Sequence, residues 1–432
     1  MSRELFGTDG VRGLANEYPL DDSGAEAIGR AVGAYFAKAG EHIVLACDTR
    51  ESSERIVAAV AKGLQGVGVR VVFVGVVPTP GLAYLTAQNE SFVAGVMITA
   101  SHNTYEFNGI KVFGADGGKL PDDIEEKVSR AITQGTADRE GGGYETKPEL
   151  AKQYEDFLVH SAEGERFDGT TLVVDSANGA ACGIAQRVFE RLGAQVIPFA
   201  YEPNGRNINA ACGATDPRAA QEMVVSHSAD MGITLDGDAD RLILVDERGR
   251  LCDGDRILYV LAVGRGNPTV VATVMSNLGV EQALSAHGVK MVRTAVGDRY
   301  VLEHMLESGI TLGGEQSGHI IMTDLNTTGD ALLAAVQLLR VLKTSHKSLA
   351  EWSDEVQSVP QALVNFAITD KTKLQTPEVE AYVQTKKSEL GAAGRILVRP
   401  SGTEPLARVM VEAPNAQALA EEMAAHIQEL VS

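Results

Sequence analysis

Two hydrophobic rhythms alternate along most of the chain. Short, largely apolar runs at 43–47, 70–74 and 92–99 predict buried strands, because both faces of such a segment must be covered. Between them, residues 52–67 repeat apolar positions three and four apart and stop before Gly68, the pattern of a helix with a glycine terminator. A short helix is predicted after Pro78-Thr79-Pro80. Strand, helix and strand in this order predict a βαβ unit.

The rhythm lapses over 134–148, "QGTADREGGGYETKP" with its start, which reads as a polar, glycine-rich link between domains. It resumes with predicted strands at 172–175, 195–197 and 231–235, and again after Asp253 with a strand at 269–275 and a long apolar helix at 331–342. Beyond Val359 the texture changes to strands at 362–368, 395–399 and 407–412 set among helices such as 416–430. The expected class is α/β: three similar α/β domains (1–140, 150–250, 251–358) and a smaller α+β domain (359–432). Such a layout favours a binding site in the central cleft.

A chain of 432 residues is too long for one core, and 44% hydrophobic with 22% charged residues is ordinary for a globular protein. The charge is less ordinary: 38 Lys+Arg against 58 Asp+Glu leave a formal −20, which repels nucleic acid and anionic membrane. An anionic substrate would therefore need cations gathered locally from separate segments. The first residues lack the apolar stretch of a signal peptide, and the longest apolar run, 257–275, is broken by Arg265, Asn267 and Pro268. Four cysteines without CxxC spacing suggest neither a zinc site nor a disulfide framework, and a cytoplasmic address is expected.

Four segments carry candidate chemistry. In "VMITASHNTYEFNG" (96–109) a strand gives way to Ser101, His102 and Asn103, which alone reads as a surface loop. In "LDGDADRLILVDERG" (235–249) Asp236, Asp238 and Asp240 crowd three carboxylates between apolar strands, and a divalent cation is the economical remedy. An EF-hand is disfavoured because its sixth-position glycine is Arg241; a bare acidic turn is the other alternative, against which Arg241 offers a phosphate contact. In "RPSGTEPLARVMVE" (399–412) Ser401, Gly402 and Thr403 with Arg399 and Arg408 suit an anion cradle or a plain hairpin turn. In "LGGEQSGHII" (312–321) Glu315, Ser317 and His319 alternate at strand-like spacing and would suit sugar hydroxyls or an amine, unless glycine merely makes a turn and His319 is half-buried.

Together, "FGTDGVRG" (6–13), "TASHN" (99–103), "DGDADR" (236–241), "GGEQSGH" (313–319) and "RPSGTEP" (399–405) resemble the α-D-phosphohexomutase superfamily over essentially the whole chain. "VVDSANGA" (173–180), "EPNGRNINAACGATDP" (202–217), "VGDRYVLE" (296–303) and "NTTGDALL" (326–333) resemble its glucosamine branch, although no residue chemistry in those loops explains a preference for an amino sugar. The resemblance implies mixed sheets and a phosphoserine at Ser101. It implies magnesium held by Ser101, Asp236, Asp238 and Asp240, and proton transfer by His102 and Lys111 with Arg12 in the phosphate field. Arg241, Arg399, Ser401, Gly402, Thr403 and Arg408 would bind phosphate, and Glu315, Ser317 and His319 the sugar.

The implied reaction interconverts glucosamine 6-phosphate and glucosamine 1-phosphate through glucosamine 1,6-bisphosphate, in supply of cell-wall precursors. Its partner is a small sugar phosphate, with no nucleic acid or membrane, and a homodimer is plausible. The C-terminal domain would rotate over the substrate. Two positions depart from the family pattern: Thr104 stands where proline is usual, implying a less rigid loop, and Ala295 where many members carry lysine. Competing readings are a phosphoglucomutase or phosphomannomutase, a metal-dependent phosphatase using an aspartate nucleophile, and a non-catalytic calcium-binding or sugar-phosphate-sensing module.

Overall fold

The computed structural model describes residues 10–401 and 405–431. Among them the strands form four sheets, of six, five, four and three strands. The chain divides into two compact units: one runs through Met275 and includes Val289–Ser353, and the other joins Ser276–Gly288 to the segment from Asp354 onward.

In the first sheet, His42–Cys47 lies between parallel neighbours Arg70–Val76 and Phe92–Ile98, and Phe107–Gly114 adds antiparallel to the latter. Its apolar run is continuous because both faces are covered. Ile43, Leu45 and Cys47 join the core under helices Asp22–Phe36 and Ser53–Gly66, whereas Val44 and Ala46 join the core with Leu82 and Leu85 of helix Thr79–Ala87. Those first two helices approach closely through glycine: a Cβ on Gly29 would lie 2.3 Å from Val60 O, and one on Gly63 2.1 Å from Glu26 O. Substitution at either would force the pair apart.

The second sheet sets Thr171–Asp175 parallel to Gln195–Phe199 and Met231–Leu235, with Leu242–Asp246 returning antiparallel. The third sets Thr269–Thr273 parallel to Lys290–Thr294 and Leu312–Gly314, with Ile320–Met322 antiparallel. Both are mixed, as expected. Helix Ala331–Ser345 is apolar on nearly all sides because it is buried on nearly all sides, and Asp330 caps it by accepting from Leu333 N at 3.0 Å. The other unit is α+β: Leu406–Glu412 lies between antiparallel Gln361–Ala367 and Arg395–Pro400, packed against Ala416–Val431. No helix among the described residues is long and apolar enough to cross a membrane.

Two expectations need correction. The stretch 134–148 is not simply a link, since Gly143–Thr146 is the edge strand of the first sheet, parallel to Arg70–Phe73. Gly142 serves close approach instead: a Cβ there would sit 2.4 Å from Gln65 O. The period-two spacing of Glu315, Ser317 and His319 does not mark a strand, because the chain turns between the paired strands Leu312–Gly314 and Ile320–Met322, with Gly318 at φ +93°.

Candidate active site

The strand Phe92–Ile98 ends in a turn that puts Ser101 at φ +50°, a left-handed conformation uncommon outside glycine. The strain has a consequence: Ser101 Oγ donates to Asp236 Oδ2 at 2.6 Å, although the residue is only 2% exposed. Thr99 Oγ1 accepts from Ser101 N at 3.0 Å and donates to Asp48 Oδ2 at 2.8 Å. Arg50, equally buried, donates to the carbonyls of Ser101 (3.0 Å), Asn103 (2.8 Å), Phe107 (3.1 Å) and Thr104, and pairs with Asp48 at 2.8 Å. A guanidinium thus holds the backbone on both sides of Thr104, the position where the family pattern has proline.

Asp236, Asp238 and Asp240 occupy the tight connection between Met231–Leu235 and Leu242–Asp246, with Ala239 at φ +55°. All three are buried, and ligand oxygens from them lie within 4.8 Å of one another. Burial, then the charges of Asp240 and Asp238, push the Asp236 carboxyl well above its ordinary range. Burial works the same way on Asp240, but Lys111 and His319 outweigh it and hold that carboxyl well below its ordinary range.

Lys111 Nζ reaches Asp238 Oδ2 at 3.0 Å and Asp240 Oδ2 at 3.2 Å, and Thr79 Oγ1 donates to Asp238 Oδ2 at 2.6 Å. Asp238 Oδ1 and Asp240 Oδ1 are buried without hydrogen-bond partners. Three carboxylates outnumber the Lys111 ammonium and the Arg241 guanidinium, whose Nε lies 4.0 Å from Asp240 Oδ1, and with two oxygens free of hydrogen bonds the donor set fits a divalent cation. Lys111, expected as a proton-transfer group, is brought into the carboxylate cluster itself.

His102 is half-buried with Nδ1 3.3 Å from Ser101 Oγ. Burial, then the guanidiniums of Arg241 and Arg12, lower its pKa to about 4, so the imidazole is neutral at physiological pH. Arg12 is exposed and donates to Asn103 Oδ1 at 3.3 Å. Arg241 donates its backbone N–H to Asp236 Oδ1 at 3.1 Å; desolvation opposes its charge, yet Asp240 and Asp236 keep its guanidinium above the ordinary value.

The hairpin turn separates the three residues expected to act as a row. Ser317 is exposed, and Glu315 is half-buried, accepting from Gly297 N at 3.1 Å. His319 turns inward, 3% exposed, with Nδ1 3.8 Å from Asp240 and Nε2 3.4 Å from Asp298. Ala295 is exposed and brings no amine.

In the other unit, Arg399 faces Arg408 across paired strands, and Arg408 Nη2 donates to Ser401 Oγ at 3.3 Å. Burial, then the neighbouring Arg408 charge, lowers the Arg399 pKa. Lys371 Nζ donates to Ser401 O at 2.5 Å. Two facing guanidiniums, with an ammonium on the Ser401 carbonyl, favour an anion at this turn. Gly402 and Thr403 lie outside the described residues.

Sequence reasoning missed Asp48, Arg50 and Thr79, and with them Asn209, which donates to the Ser101 and Asn103 carbonyls. The one available signal was "CDTR" at 47–50, charged residues directly after a buried strand.

Models of the phosphoglucomutase/phosphomannomutase family match nearly the whole chain. The alpha/beta/alpha domains I, II and III match residues 3–139, 152–249 and 253–359, and the C-terminal domain matches 363–430. The chain is 46% identical over 431 residues to a phosphoglucosamine mutase of Solibacter usitatus, covering 96% of this chain and 95% of that one. It is 44% identical over 462 residues to one of Anaeromyxobacter dehalogenans, covering 100% of both. A solved phosphoglucomutase/phosphomannomutase family protein of Burkholderia thailandensis shares the fold, with TM-score 0.85 at 24% identity over 100% of this chain and 98% of that one.

Proposed function

The chain belongs to the phosphoglucomutase/phosphomannomutase family, and from that premise we propose that it interconverts glucosamine 6-phosphate and glucosamine 1-phosphate through a phosphoserine at Ser101. The observation that carries the reading is Ser101 Oγ held 2.6 Å from a carboxylate of the buried aspartate cluster. A serine hydroxyl in an ordinary loop would face water instead.

Phosphorylated Ser101 transfers its phosphoryl group to O1 of glucosamine 6-phosphate. The P–Oγ bond breaks, the P–O1 bond forms, and the O1 proton leaves to a protein base. His102 suits proton exchange beside Ser101 Oγ because it is neutral, and Lys111 places positive charge among the carboxylates. Arg12 and Arg241 bring guanidiniums toward the phosphoryl group. The glucosamine 1,6-bisphosphate then turns around, its P–O6 bond breaks as the P–Oγ bond re-forms, O6 takes up a proton as Ser101 Oγ gives one up, and glucosamine 1-phosphate departs toward UDP-N-acetylglucosamine and cell-wall precursors.

Asp236, Asp238, Asp240 and the phosphoserine would hold magnesium, which when bound supplies positive charge against that building on the transferring phosphoryl oxygens. Arg399, Ser401, Gly402, Thr403 and Arg408 bind the non-reacting phosphate. Because that phosphate is attached at either end of the sugar in turn, its cradle must read phosphate alone. Glu315 and Ser317 bind sugar hydroxyls, with His319 at their base against Asp240. A cytoplasmic location belongs to the same reading and rests on four free thiols. A homodimer is the assembly expected from the family, to be checked by sedimentation.

The test is phosphorus NMR with magnesium and a trace of glucosamine 1,6-bisphosphate, comparing kcat/KM for the 6-phosphates of glucosamine, glucose and mannose. Glucosamine 6-phosphate should lead by about tenfold or more, given how far buried polar contacts discriminate. A lead for glucose or mannose would reassign the substrate to another mutase of the family. Turnover by Ser101→Ala would point to aspartate-based phosphatase chemistry.

A further inference from the structure

The segments 173–180 and 202–217 mark a branch of the family, yet nothing in the reaction uses them. We propose that they form a clasp that positions the Ser101 loop, with Asn209 as its key donor, and that they do not read the amino sugar. The proposal rests on Ser101 being the phosphoryl carrier.

Asn209 Nδ2 donates to Ser101 O at 2.9 Å and to Asn103 O at 3.0 Å. Its Oδ1 is buried and has no hydrogen-bond partner. Only the donor end of the amide is used, and a flipped amide would set its oxygen against two carbonyls. Arg50 donates to the same two carbonyls at 3.0 and 2.8 Å. Each carbonyl therefore receives one donor from the first-sheet side and one from the second, which uses both of its lone pairs.

This matters because Ser101 sits at φ +50°. Rotation of its peptide would swing Oγ away from Asp236. The metal-loop backbone closes on the same point, since a Cβ on Gly237 would lie 2.5 Å from Ser101 O and 2.8 Å from Asn209 Nδ2.

The clasp is itself braced. Asn209 is left-handed at φ +56°, as are Ala177 and Asn178 at +51° and +50°, and such strain persists only where surroundings impose it. Asp175 accepts from Ala177 N at 2.9 Å and Gly213 N at 2.6 Å, Asn209 N donates to Ala177 O at 2.9 Å, and Asn178 Nδ2 donates to Asn207 O at 3.2 Å. A second grip runs to the chain beside Arg50: Glu51 N donates to Gly205 O at 2.9 Å, and Arg206 pairs with Glu51 at 2.6 Å. The asparagines of these segments are thus engaged with backbone and Arg206 with Glu51, which leaves the sugar to other residues.

The test uses full-length Asn209→Gly and Asn209→Asp, since glycine and aspartate both tolerate the left-handed backbone while removing the donor. Each should lower kcat by about 10- to 100-fold, with KM and the glucosamine-to-glucose ratio of kcat/KM held within about threefold. Phosphoserine should also be lost to water more often per turnover, read as a greater need for added bisphosphate. A merely structural defect would lower the melting temperature without changing phosphoserine loss per turnover.

A ratio shifted by about tenfold, or phosphoserine loss equal to wild type, overturns the clasp. If neither variant folds, Arg206→Ala, at a half-exposed pair, should show the same pattern at about two- to fivefold, and its absence overturns the proposal equally. Ser101→Ala run alongside separates the two readings. An active Ser101→Ala enzyme sinks the phosphoserine, whereas an inactive one beside a normal Asn209→Gly sinks only the clasp.

Discussion

The aspartate cluster and the arginine pair are built on one electrostatic idea at different depths. Asp236, Asp238 and Asp240 gather like charges with Lys111 among them, all nearly inaccessible. Arg399 and Arg408 gather like charges around Ser401, but on half-buried hairpin strands. Gathering like charges costs energy in either place, and opposite charge offsets it. The cost is larger where water is excluded, because charge interactions strengthen as the local dielectric falls. The buried cluster should therefore govern the chemical step and the shallower pair the affinity.

The largest effect expected is at the buried cluster. Ser101→Ala removes the phosphoryl carrier and should leave no measurable mutase turnover, while calorimetry still detects sugar-phosphate binding within about threefold of wild type. Asp238→Asn deletes a charge that Lys111 and Thr79 both engage, and should lower kcat by about a thousandfold and raise the magnesium needed for half-activity. Near-normal kcat in Asp238→Asn would end the claim that this cluster carries the chemistry. Chelation should abolish activity reversibly and lower the melting temperature, with recovery of both on adding magnesium.

Next comes the shallower pair. Arg408→Ala should raise KM by about 10- to 100-fold with kcat within about threefold, and Arg408→Lys should lie between, since a point charge replaces a fork of donors. Steady-state kinetics at two ionic strengths sharpens the contrast: salt should weaken substrate binding at the arginine pair more than it alters kcat. A fall in kcat equal to the loss in kcat/KM would show instead that Arg408 acts only in the transition state.

The two regions also differed in how far sequence revealed them. "DGDADR" stood out because it crowds three carboxylates between buried strands, whereas "TASHN" alone read as a surface loop and took on a role only beside the other motifs. Arg50 and Asn209 escaped notice because their partners are backbone carbonyls of the Ser101 loop, and backbone acceptors leave no mark in a residue pattern. Glu315, Ser317 and His319 showed a real period of two, but that period ran through a turn imposed by Gly318. Gly142 looked like slack and proves to allow close packing. Domain-scale order was readable from apolar rhythm, whereas the contacts that join distant loops were not.

The smallest effect separates burial from like-charge crowding. Asp330 is fully buried in the same unit as the aspartate cluster, and burial alone raises its pKa to about 6 despite acceptance from Leu333 N, Asn326 and Tyr154. Its folded-state pKa lies above the unfolded value near 3.8, so the native chain holds the extra proton between those limits. The stability this group contributes is present below the unfolded pKa and is lost as pH rises through about 6. Asp330→Asn keeps the helix cap but cannot titrate; the acceptor it loses toward Asn326 costs the same at every pH. Urea midpoints at pH 4.5 and 7.5 should show the stability difference moving toward the variant by about 1–2 kcal/mol as pH rises. A pH-independent difference would mean that burial does not perturb Asp330, and that the raised carboxyl at Asp236 comes from its aspartate neighbours rather than from exclusion of water.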